Sequence, residues 1–116
     1  MWDGFNKRRF PRLAVPCEIT LLGEVDGKPI KTVTENIGAG GVAVVLKKQY
    51  ERFSKCRIRL KLDDKFPAIE SFARIAWTIR TKAKNKAFTY DTGIEFVDLK
   101  LQDFTLLKKF ISDRVR

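Results

Sequence analysis

Lys55-Cys56-Arg57-Ile58-Arg59-Leu60-Lys61-Leu62 alternates basic and apolar residues without interruption. A period of two sends successive side chains to opposite faces of an extended chain, so this stretch predicts a strand with one dry face and one wet face. The pattern recurs on both sides of it. Upstream, Leu13, Val15, Cys17, Ile19 and Leu21 occupy every second position and predict a first strand. Pro16 falls inside it and lacks the N–H that a ladder needs, so that point must face an edge or a bulge. Asp26-Gly27 predicts a hairpin turn, followed by a second strand over about Pro29 to Glu35. The apolar run from Val42 to Leu46 predicts a third, and Lys47 to Ser54 a connection containing one helical turn. Downstream, Glu70 to Arg80 predicts a fifth strand with Ala73, Ile75, Trp77 and Ile79 on one face. After a solvated loop carrying Lys82, Lys84 and Lys86, the alternation of Phe88, Tyr90, Thr92, Ile94 and Phe96 predicts a sixth.

The period then changes. Phe104, Leu107 and Ile111 stand three and four apart with Phe110 alongside, which is a helical pattern. Asp98 or Asp103 offers a start signal, and Lys108, Lys109, Arg114 and Arg116 suit the negative pole at the end. A helix this short is marginal alone in water and must dock on the sheet. Strands followed by a terminal helix predict a mainly β chain: a six-stranded antiparallel β-barrel, closed so that strand edges are hidden, with a C-terminal α-helix. The 116 residues suit one domain. It divides into a basic arm over residues 1–12, the barrel over 13–97 and the helix over 99–115.

Composition narrows the chemistry. The formal charge of +10 points to anionic partners. The chain has no His, and its only cysteines, Cys17 and Cys56, have no metal-ligand spacing. No residue setting suggests an activated nucleophile with its base, so catalysis is not expected. No secretory signal is expected at the start, and no apolar run approaches a membrane span. Both cysteines are expected on apolar strand faces as reduced, buried thiols of a cytoplasmic protein.

Short segments carry the functional signal. Arg8-Arg9-Phe10-Pro11-Arg12 is an R-x-x-x-R element preceded by Lys7, and Asn36-Ile37-Gly38-Ala39-Gly40-Gly41 is an N-x-G-x-x-G turn. In this order they resemble the PilZ family of bacterial cyclic di-GMP receptor domains, whose pattern is R-x-x-x-R followed by [D/N]-x-S-x-x-G. Arg8 and Arg12 match the first element; Asn36 and Gly41 match the ends of the second. Arg74-Ile75-Ala76-Trp77 and Tyr90-Asp91-Thr92-Gly93-Ile94-Glu95-Phe96 look like the family's late strands. The resemblance runs from about Lys7 to Ile111 and implies a barrel with a C-terminal helix, consistent with the alternation.

The resemblance implies a ligand, cyclic di-GMP, and no cofactor or metal. It makes Arg8 and Arg12 the principal contacts, with Arg9 assisting and Lys7 helping to hold a second stacked ligand. A guanidinium fork matches the paired acceptors of guanine, pairs with phosphate and stacks on purines. Asn36 would hydrogen-bond a guanine edge, its amide both donating and accepting. Gly38, Gly40 and Gly41 permit positive φ and close backbone approach to ligand oxygens; a plain tight turn would select the same residues. Trp77 either stacks on a guanine or packs in the core beside Ile75 and Ile79.

Gly38 departs from the family pattern, where a Ser supplies a hydroxyl. A hydrogen bond to a charged group contributes about 1.5–3 kcal/mol, so its loss weakens binding roughly tenfold to a hundredfold. The leading expectation is a non-catalytic cyclic di-GMP receptor whose arginine arm folds over the ligand on the barrel. It would act on a downstream protein partner, in motility or biofilm control, with no DNA and no membrane role. Its alternatives are a degenerate adaptor that binds a protein and no nucleotide, and a basic barrel for single-stranded nucleic acid.

Overall fold

The computed structural model describes residues 12–23, 27–82, 85 and 87–114. Six strands, β1 (Glu18–Gly23), β2 (Pro29–Gly38), β3 (Gly41–Leu46), β4 (Lys55–Lys61), β5 (Ile69–Lys82) and β6 (Phe88–Val97), precede helix α1 (Leu101–Arg114). Every pairing is antiparallel and the order β1-β2-β3-β6-β5-β4 closes into a barrel, as the alternation predicted. β3 and β4 are not a hairpin. The chain leaves β3 beside β6 and rejoins the sheet between β1 and β5, so Lys47–Ser54 is a crossover. It contains a turn in which the Ser54 N–H and hydroxyl both donate to Glu51 O, rather than a helical turn.

The opening stretch behaves as read. β4 buries Cys56, Ile58 and Leu60 and exposes Lys55, Arg57, Arg59 and Lys61. The inward residues of the other strands, among them Ile19, Leu21, Val42, Val44, Ile75 and Ile94, complete the core. Cys17 and Cys56 are both buried and unbridged.

The predicted first strand is shorter than its alternation. Only Glu18–Gly23 joins the ladder, and Leu13 makes an isolated bridge to Ile37 with paired bonds of 2.8 and 2.9 Å. Pro16 is the physical reason, because it has no N–H to give to a rung with β2. The buried Thr34 side chain spans the gap: its hydroxyl accepts from Cys17 N at 2.9 Å and donates to Val15 O at 2.7 Å. A side chain thus serves the backbone groups that the proline leaves without a rung.

Helix α1 buries Leu107, Phe110 and Ile111 against the barrel, with Phe66 meeting Phe110 edge-on at 5.9 Å. Asp98 lies outside it at φ 55, and Asp103 sits in its first turn, near the positive pole. At the far end Arg114 covers the Phe110 ring and bonds Asp63 at 2.9 Å, tying the helix to the segment after β4. Among the described residues no helix is long and apolar enough to cross a membrane.

Candidate functional site

Strand registers place the motif residues. Asn36 pairs with Ala43, Ala43 with Gly93, and Gly93 with Trp77, so β2, β3, β6 and β5 share one lateral row. Partners in an antiparallel row point to the same face. The adjacent row Ile37–Val42–Ile94–Ile75 is wholly buried in the core, so Asn36 and Trp77 face outward. Gly38, Gly41, Glu95 and Arg74 form the next outward row, where Arg74 and Glu95 make an ion pair. Small residues, Gly38, Gly41, Ala43 and Gly93, thus stand between Asn36 on one side and Arg74 on the other, with the Trp77 ring lying over Gly93.

A bulge brings each flank into place. In β2 the register shifts between Thr34 and Asn36, so Thr34 stays inside opposite Val44 while Asn36 turns out opposite Ala43. In β5 it shifts between Ile75 and Trp77, so Ile75 stays inside while Trp77 turns out over Gly93. An extra residue re-aims every side chain beyond it. This corrects the expectation of one apolar face in β5: Ala73 and Ile75 are core, Trp77 is partly buried on the outer row, and Ile79 is 59% exposed. Core packing beside Ile75 and Ile79 is therefore not the role of Trp77. Arg52, from the crossover, donates its Nε–H to the carbonyl of the bulge residue Ala76 at 3.1 Å.

Arg12 stands at the open side of this row. The Leu13–Ile37 bridge sets Arg12 alongside Gly38, and its Nη1 donates to Asn36 Oδ1 at 2.5 Å. Burial lowers the affinity of this guanidinium for its proton relative to an exposed arginine. The bond joins the ends of both motifs, 24 residues apart in the chain. Arg8 and Arg9 lie outside the described residues.

The glycines act differently from expectation. None of Gly38, Gly40 and Gly41 has positive φ, a conformation found among the described glycines at Gly27. Gly38 and Gly41 pair with each other as the last rung of β2–β3. A Cβ on Gly41 would stand 2.1 Å from Ile94 O, so that glycine lets β3 approach β6. A Cβ on Gly93 would stand 2.2 Å from Trp77 Nε1, so that glycine seats the indole. Gly93, Ala43 and Arg52 were missed as site-building residues. Of these, Gly93 carried a signal, because a glycine inside a strand marks a close approach.

A family model described as PilZ domain matches residues 6–113. Solved structures share the barrel. The Bacillus subtilis inhibitor of motility MotI/DgrA is similar with a TM-score of 0.77 at 21% identity, over 92% of this chain and 50% of its own. The chain therefore spans about half the length of that protein. The PilZ domain of Escherichia coli YcgR, solved with c-di-GMP, gives 0.70 at 12% identity over 92% of this chain and 90% of its own. The K. pneumonia MrkH–c-di-GMP complex gives 0.69 at 17% identity, covering 91% and 51% respectively. No curated protein matches the chain. With a family match over nearly its whole length, on a closed antiparallel barrel that joins Arg12 to Asn36, the chain belongs to the PilZ domain family.

Proposed function

We propose that the chain is a non-catalytic receptor for cyclic di-GMP, held on the outer row from Asn36 to Trp77 and covered by the basic segment that carries Arg8, Arg9 and Arg12. The observation that carries this reading is the Arg12–Asn36 hydrogen bond, which brings a guanidinium fork and an amide together at one end of that row. Gly93 seats the Trp77 indole on the row, where the ring offers a face to stack on a base. The nucleotide in the YcgR and MrkH structures is c-di-GMP, which supports the choice of ligand. Ligand would hold the arginine segment over the row and change the surface that a downstream protein meets. We place the protein in the cytoplasm, where that nucleotide acts, with motility or biofilm control as its setting.

Isothermal titration with cyclic di-GMP, with GTP as control, tests this reading. Saturable binding that Arg12→Ala weakens at least about tenfold is expected. Absence of heat up to millimolar nucleotide would overturn it and favour the second reading, an adaptor that binds protein alone. Gly38 motivates that second reading, since no hydroxyl stands where the family pattern has one. We infer no DNA role, although MrkH is described as a c-di-GMP-dependent transcription regulatory factor.

A further inference from the structure

Around the barrel from the Asn36–Trp77 row, β4 turns a ladder of cations outward: Lys55, Arg57, Arg59 and Lys61. Alternate residues of a strand lie roughly 7 Å apart. Arg59 pairs with Glu70 and Lys61 with Asp64, both at 3.3 Å. Lys55 and Arg57 meet no carboxylate among the described residues. Beside them stand large apolar side chains that the core does not use. Phe72, the β5 partner of Arg57, is 62% exposed, and Phe53 is 54% exposed. With Val97 they border a hollow of about 330 Å³ that Lys55 and Arg74 also line. Phe53 is held there in a left-handed conformation, φ 70, which bulky residues rarely adopt. Backbone bonds to β5, Phe53 N to Ile75 O at 2.7 Å and Ile75 N to Ser54 O at 3.0 Å, pin it.

A contiguous apolar patch with a charged rim is the anatomy of a protein interface. We propose that this β4–β5 face docks an acidic protein segment, which inserts an apolar side chain between Phe53 and Phe72 and sets carboxylates against Lys55 and Arg57. Nucleic acid fits less well. The Arg57 guanidinium lies 5.4 Å from the centre of the Phe72 ring and that of Arg52 lies 4.7 Å from Phe53, on faces where a base would stack. The hollow touches the flank of the nucleotide row at Arg74, but Phe53, Lys55, Arg57 and Phe72 lie outside that row, so substitutions there separate this face from the nucleotide reading.

The test is selection of random twelve-residue peptides on the intact chain. The recovered peptides are expected to cluster acidic residues around a single Phe, Leu, Ile or Trp. They should bind Phe72→Ser, and the pair Lys55→Glu with Arg57→Glu, at least about tenfold more weakly. All these positions are exposed, so circular dichroism should show both variants folded. Arg12→Ala should bind the same peptides unchanged. Peptides without acidic bias, or indifferent to Phe72→Ser, overturn the proposal. So does Phe72-dependent binding of oligothymidylate or of phosphatidylglycerol vesicles in place of the peptides.

Discussion

Asn36 and Trp77 stand on one row of the outer barrel surface, with Ala43 and Gly93 between them. Each reaches that row through a bulge in its own strand, and the residues between them are small. Gly93→Ala tests the arrangement. The new methyl would meet the indole at 2.2 Å, so the ring must swing away. Overpacking of this kind costs about 1–3 kcal/mol of stability, read as a shifted urea midpoint. The near-UV circular dichroism of the indole should change, and cyclic di-GMP affinity should fall at least about tenfold. Full affinity with a displaced indole would remove Trp77 from the site.

The Arg12–Asn36 bond couples two segments that approach each other only in the fold. Arg12→Ala and Asn36→Ala should each weaken nucleotide binding, Arg12 more, because it removes charge as well as hydrogen bonds. Groups in one hydrogen-bond network are not additive; coupling energies run about 0.5–3 kcal/mol. A double-mutant cycle by titration calorimetry should therefore show the double variant weakened by less than the sum. Strict additivity would mean that the two residues meet the nucleotide independently.

Gly38 lies outward on the row next to Asn36, beside Arg12. Gly38→Ser returns a hydroxyl to that row. It should tighten cyclic di-GMP binding about tenfold to a hundredfold, the value of one hydrogen bond to a charged group. An unchanged dissociation constant would show that a backbone group or a water already serves the ligand there.

Much of the barrel was legible because burial imposes a period of two. β4 shows it fully, and the change to a period near 3.6 marked α1. The bulges were not legible. In β5 the apolar choice continues through Ala73, Ile75, Trp77 and Ile79, so the sequence reads as one face while the backbone inserts Ala76 and flips the phase. In β2, Thr34 and Asn36 are both polar and give no hint that one is buried and the other faces out. The site sits where the local pattern fails, since a bulge presents on the outside what strict alternation would bury. The same alternation that turns Ala73 and Ile75 inward turns their neighbour Phe72 outward, where it is 62% exposed.

Thr34 is buried at the point where Pro16 breaks the β1–β2 ladder. Thr34→Val keeps the shape but removes the hydroxyl that serves Cys17 N and Val15 O. Each buried backbone group left unserved costs about 1–3 kcal/mol. Urea unfolding should show a loss in that range or above it, while Thr34→Ser should lose little. A Thr34→Val protein as stable as the parent would mean that water fills the gap.

Cys17 gives the fold an alkaline limit. Burial pushes its thiol above the ordinary value of 9.0; Arg114 and the Thr34 hydrogen bond oppose that rise, and Asp63 adds to it. The thiol donates to Leu62 O at 3.4 Å, a bond the thiolate cannot make. The folded chain therefore holds this proton more tightly than the unfolded chain does. The sign follows from linkage: the contribution is fully present below about pH 9 and is lost as pH rises from there through the raised value. The informative quantity is the stability difference between the parent and Cys17→Ala, which isolates this residue. That difference should be constant from pH 7 to about pH 9 and should shrink above it. A constant difference up to pH 11 would mean that the thiolate is tolerated beside Arg114, and that burial does not control this residue.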